Sequence, residues 1–159
     1  MSQTPMPPPP LQGYAPPSVT QFSVFLDNKV GKLFDLVEAF DGSTSEICAI
    51  SVHEASDHAV VRLITNDSRL ARDLLRAEGL PFSELDVLVV ELGSGHSLST
   101  MCLHLLAAEL NIRFAYPLML KPNGKPTIAI AVDDLTLAGQ ILRRKEYRLL
   151  GEFDLPRSA

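Results

Sequence analysis

One order of strand and helix signals occurs twice in this chain, about 66 residues apart, and that doubling constrains the fold more than any single motif. Asn66-Asp67 matches Asp133-Asp134, Leu70-Ala71 matches Leu137-Ala138, and Leu74-Leu75-Arg76 matches Ile141-Leu142-Arg143. Upstream, Leu33, Leu36, Val37 and Phe40 match Leu98, Met101, Cys102 and Leu105. Chance can supply apolar pairs. It does not supply the same element order with matching helix caps.

In the first copy, Thr20 to Leu26 alternates with Phe22, Val24 and Leu26 on one face, the two-residue period of a strand. The turn Asp27-Asn28-Lys29-Val30-Gly31 leads into a helix striped by Leu33, Leu36, Val37 and Phe40. Ile47 to His53 and Ala59 to Thr65 read as strands, and Asp67 caps a second helix ending at Gly79. Phe82 to Leu92 is a further extended segment. In the second copy the turn Gly93-Ser94-Gly95-His96 precedes a helix carrying Leu98, Met101, Cys102, Leu105 and Leu106. Ile112 to Leu120 and Thr127 to Val132 form a hairpin around Pro122-Asn123-Gly124, Asp133-Asp134 caps a last helix, and Arg148 to Leu155 closes as a strand.

Each copy therefore reads strand, helix, strand, strand, helix, strand. Right-handed crossovers place both helices on one face of a four-stranded antiparallel sheet. The expected class is α+β, two ferredoxin-like βαββαβ modules spanning 19–86 and 87–159. A module of this size is marginal alone and exposes strand edges, so joining two in one chain helps both, and a homodimer could extend the sheet further. Residues 1–18 hold seven of the twelve prolines, including Pro7 to Pro10, and are expected to form a disordered tail.

A hydrophobic fraction of 46% supports a packed core, and a net charge of −5 without a basic stripe speaks against nucleic-acid binding. The one basic run, Arg143-Arg144-Lys145, ends a helix, where cations complement the dipole. No apolar segment has the length of a membrane span, and no secretory signal is seen, so a cytoplasmic location is expected. Cys48 and Cys102 lie in apolar patterns and are expected to be reduced and buried.

With the order of elements in place, the stretches Phe25-Leu26-Asp27-Asn28-Lys29-Val30-Gly31-Lys32-Leu33 and Val60 to Asp67 resemble the ACT domain family in its free-standing tandem form. The resemblance extends over residues 20 to 155. It implies a non-enzymatic regulatory protein that binds an amino acid or similar metabolite at the strand-to-helix turns between modules. The alternative it leaves is a regulatory subunit of an amino-acid biosynthetic enzyme such as acetolactate (acetohydroxyacid) synthase. Val30 stands where the family usually has proline, and the second turn is one residue shorter and lacks the Pro-Gly pair.

The candidate ligand residues are Asp27, Asn28, Val30, Gly31, Lys32 and Leu33 in the first turn, and Gly95, His96, Ser97 and Leu98 in the second. Gly31 permits a close backbone approach, the unpaired helix amides after it suit a carboxylate, and Asp27 could answer an ammonium group. An ordinary turn explains the same residues, since Asp, Asn and Gly dominate turns. Ser97 also reads as a plain helix cap. Gly93-Ser94-Gly95 starts like a dinucleotide fingerprint, but Leu98 replaces the third glycine. His53 and His58 flank a turn with Glu54 and Asp57 but lack a metal-binding spacing, and His104 is expected to meet solvent. No nucleophile, base and orienter stand out, so neither catalysis nor a metal or cofactor is expected.

Overall fold

The computed structural model describes residues 15–27 and 29–157, so the expectations for residues 1–14 and for Asn28 lie outside the described residues. In chain order the elements are β1 (Val19–Asp27), α1 (Lys32–Glu38), β2 (Ile47–Ala55), β3 (His58–Thr65), α2 (Ser68–Ala77) and β4 (Phe82–Glu91). The second half supplies α3 (Leu98–Ala107), β5 (Ile112–Pro117), β6 (Thr127–Val132), α4 (Leu135–Arg144) and β7 (Arg148–Leu150).

The strands form a curled antiparallel sheet in the order β2-β3-β1-β4-β6-β5, with β7 also paired to β4. The first half thus has the order β2-β3-β1-β4 and the second β5-β6-β4-β7, the same topology twice. One strand serves both. Its beginning pairs with β1, from Val24↔Phe82 to Val19↔Val87, and its end pairs with β6 and β7 from Leu88 to Glu91. The strand runs without a break through the 86/87 division expected from sequence.

Alternation along the strands sorts the core into three layers. On the outer face of the first half, Phe22, Val24, Val61 and Leu63 meet Leu36 of α1 and Ala71 and Leu75 of α2. On the outer face of the second, Leu88, Val90 and Ile130 meet Met101 and Leu105 of α3 and Ala138 and Leu142 of α4. The helix-free faces turn toward each other, and Val19, Ile64, Val87, Val89, Ala129 and Ala131 fill the space between them. Ala129 and Ala131 let the two layers approach closely, while Tyr116 donates across the seam to the fully buried Gln21 at 2.5 Å. Arg62 of β3 lies 3.8 Å from the ring centroid of Phe114 of β5, a second tie across the seam.

The expected caps form. Asp67 accepts from Leu70 N and Asp134 from Leu137 N, each satisfying an orphan amide of its helix. Three expectations change. β7 ends at Leu150, because Glu152–Asp154 turn into a 3₁₀ segment whose Glu152 carboxylate accepts from Ser68 N at the start of α2. Cys102 is exposed, since α3 buries only Met101 and Leu105 and turns Cys102 outward. The end of the proline tail is placed: Pro16 packs on Gly139 of α4, and Ala15 O accepts from Arg143. The chain ends are therefore crossed, the N-terminal arm on the second half and the C-terminal arm, through Arg157 and Pro156 to Asn66, on the first.

Candidate functional site

The two strand-to-helix turns are the same place in the two halves, and they are built differently. In the first, Lys29 N bonds Asp27 O at 2.8 Å and the chain passes through Gly31 at φ +91°. This left-handed conformation is strained for any residue with a Cβ, which is why a glycine stands at this point. Gly31 offers no side chain to cap α1, and Val30 projects fully into solvent.

Beside this turn lies a recess of about 270 Å³ lined by Leu26, Asp27, Lys29, Lys32 and Leu33 from the turn, together with Val52, Glu54, Ala59 and Val61 from the β2–β3 hairpin. The registers explain the meeting. Leu26 pairs with Ala59 and Ala59 with Glu54, while Val24 pairs with Val61 and Val61 with Val52, so two cross-strand rows form the floor. α1 is only seven residues long and leaves the hairpin end of the sheet uncovered. Two carboxylates and two ammonium groups thus stand around an apolar floor, a net-neutral arrangement able to hold separated opposite charges.

The second turn is held by contacts that the first lacks. Ser97 and Thr100 form a reciprocal capping box, Thr100 N donating to Ser97 Oγ at 3.1 Å and Ser97 N to Thr100 Oγ1 at 2.9 Å. The His96 ring stacks on Tyr147 with centroids 3.8 Å apart and donates through Nε2 to Lys145 O at 3.1 Å. His104 meets the edge of Tyr147 at 5.8 Å rather than standing in solvent. Tyr147 is 4% exposed, and its hydroxyl has no hydrogen-bond partner among the described residues. Gly95 takes φ +80° and Leu98 faces outward.

The predicted residues therefore separate into two groups that do not meet. Because β1 and β4 are antiparallel, Asp27 and Gly93 lie toward opposite ends of the sheet, and the recess is lined by the first half alone. A ligand there is not sandwiched between the two turns of one chain. The recess also takes in Leu26, Lys29, Val52, Glu54, Ala59 and Val61, which are not among the candidate ligand residues named from sequence. The available signal was topological: a split βαβ sheet always lays its third strand beside its first.

No metal cluster of three or more His, Cys, Asp or Glu groups occurs among the described residues. His53 Nε2 instead accepts from Arg62 at 2.8 Å, while His58 Nδ1 pairs with Asp57 at 3.0 Å, so the two histidines serve different partners. The Asp57 carboxyl is held below its usual range by the His58 hydrogen bond, and the Glu84 carboxyl by Arg72. Burial pushes the Cys48 thiol up to about 11 and raises the Tyr116 phenol as well. The Cys48 and Tyr116 shifts belong to the seam, and the Asp57 shift to the hairpin tip beside the recess. No helix among the described residues is long and apolar enough to cross a membrane.

The fold has solved counterparts. A protein from Bacteroides thetaiotaomicron superposes with a TM-score of 0.77 at 22% identity, over 86% of this chain and 94% of its own. The ligand-free regulatory subunit of aspartate kinase from Thermus thermophilus superposes with a TM-score of 0.54 at 9% identity, over 82% of this chain and 94% of its own. At these identities the likeness speaks for the fold. No curated protein matches the chain in sequence. The sequence pattern of the ACT domain pair matches residues 17–156, nearly the whole described chain. The doubled βαββαβ topology and that match agree, and the chain belongs to the ACT domain pair family, whose fold is a regulatory one.

Proposed function

We propose that this protein is a non-enzymatic regulator that binds a free amino acid, or a close relative of one, in the recess beside its first turn. The observation that carries this reading is the grouping of Asp27 and Glu54 with Lys29 and Lys32 around an apolar floor. A zwitterion answers that arrangement. Its carboxylate meets the two lysines, and its ammonium group meets the two carboxylates. Its side chain rests on Val52, Ala59 and Val61. The recess is smaller than the pockets of roughly 300–1,000 Å³ that hold drug-sized ligands, which suits a small metabolite. Asn28, next to Asp27 in sequence, completes the proposed set, and Val30, facing solvent, contributes backbone only.

The test is thermal unfolding of the full chain against a panel of amino acids and 2-keto acids. At ligand near 100 times its dissociation constant the stabilisation is about 2.7 kcal/mol. One or a few amino acids should raise Tm, and Lys32→Glu should abolish the rise while leaving the unliganded Tm near that of the parent. Silence across the panel overturns the reading.

A further inference from the structure

α1 and α3 are the same helix in the two halves, and their solvent sides differ: α1 mixes Asp35 and Glu38 with the exposed Leu33 and Phe34, whereas α3 carries no carboxylate, lysine or arginine there. In the alignment that matches Leu36 to Met101, Asp35, Glu38 and Asp41 of the first copy correspond to Thr100, Leu103 and Leu106 of the second. α3 contains no Asp, Glu, Lys or Arg at all, unlike α1, α2 and α4. Its inner side is satisfied by Met101 and Leu105, which are fully buried. The outer side nevertheless exposes Leu98 by 49%, Leu103 by 59% and Leu106 by 69%, with Cys102 among them, along a shallow apolar groove. A helix apolar on both sides ordinarily lies between two partners, and here one partner is missing.

We infer that a second copy of this chain covers α3, packing α3 against α3 about a twofold axis. The charge pattern admits that occupant here and disfavours it elsewhere. Each copy carries a net charge of −5, so two copies repel on most approaches. The groove on α3 is lined by Leu98, Ser99, Cys102, Leu103 and Leu106, and presents no formal charge to a like neighbour. A twofold contact needs a self-complementary patch. Leu98, Cys102 and Leu106 stand at four-residue intervals, forming one ridge of the kind that packs between the ridges of an identical helix. In the antiparallel arrangement Leu98 meets Leu106 of the other copy, and the two Cys102 residues face each other at the axis. Helices packed about 8 Å apart bring such facing residues into disulfide range.

Cys102 makes the arrangement directly measurable, because Cys48 is buried and the sequence has two cysteines in all. Light scattering of the full chain should give a dimer mass at tens of micromolar, shifting toward monomer on dilution. The double variant Leu103→Glu, Leu106→Glu should be monomeric throughout with its far-UV spectrum retained, since both positions face solvent in the single chain. Diamide, which takes up two electrons and two protons as two thiols join, should convert the parent to a covalent dimer. It should leave Cys102→Ser uncrosslinked, although that variant remains a non-covalent dimer. A monomer at every concentration overturns the inference, whether residues 1–14 or another protein covers the groove. A dimer that survives the double variant, or one that diamide cannot crosslink, overturns it equally.

Discussion

The first and second strand-to-helix turns occupy equivalent positions in a duplicated fold, yet one is rimmed by charged side chains and the other is held by its own cap and a stacked ring pair. At the first, Gly31 and a short α1 leave the hairpin end of the sheet bare, and charged side chains rim the recess. At the second, the Ser97–Thr100 box closes the helix start, and His96 lies flat on Tyr147. Leu80 takes the place of Tyr147 in the first half, since each backbone amide bonds the same position of the preceding helix. The difference shows how duplication separates fold from site. Topology is kept by strand registers and caps, whereas the chemistry around each turn is free to diverge.

The largest expected effect that would break this comparison comes from the two counterparts themselves. Tyr147→Ala should cost about 3–5 kcal/mol in urea unfolding, the usual loss for a buried aromatic, and Leu80→Ala only about 2 kcal/mol, being half-buried. Equal costs would mean that the second turn is no better packed than the first.

Next in size is an effect on the seam joining the halves. Cys48 sits at a bulge of β2 and Arg113 at the matching bulge of β5, one fully buried and the other exposed. The Cys48 thiol is raised from 9.0 to about 11 by burial, chiefly through loss of solvent. Below pH 9 the thiol is protonated in both states and the full stability is present. Between pH 9 and 11 the unfolded chain ionises first, so stability falls as pH rises, by about 2–3 kcal/mol in all. Cys48→Ala should flatten the profile in urea titrations between pH 9 and 10, leaving above pH 10 the slope that the raised Tyr116 phenol contributes. An unchanged slope would move the alkaline weakness elsewhere.

The smallest effect is the sharpest discriminator. His96→Ala should lose about 1 kcal/mol, the worth of one stacked ring pair, while leaving any amino-acid-induced rise in Tm intact. A lost ligand response in that variant would put the second turn back into the binding site.

Much of the fold was legible because its signals are local. The alternation of Phe22, Val24 and Leu26 set a strand face, and the caps at Asp67, Ser97 and Asp134 marked helix starts that the structure reproduces. Long-range facts were not legible. Cys102 shares the apolar spacing of Met101 and Leu105, and no local pattern says which side of α3 meets the sheet. The Arg148 to Leu155 stretch looked like one strand, but Glu152 finds the open amide of Ser68, 84 residues away in sequence, and the chain turns there. The turn residues around Gly31 could be named from sequence, whereas Glu54 and Val52 reach the recess only through cross-strand pairing.

The strand that serves both sheets makes this pair indivisible in a practical sense. A cut between Asp86 and Val87 would leave one fragment with a frayed closing strand and the other with no opening strand of full length. Neither piece would inherit an intact apolar inner wall, since Val87 and Val89 belong to the same seam. Strain in the sheet of one half therefore has a continuous strand along which to reach the sheet of the other, without passing through a loop.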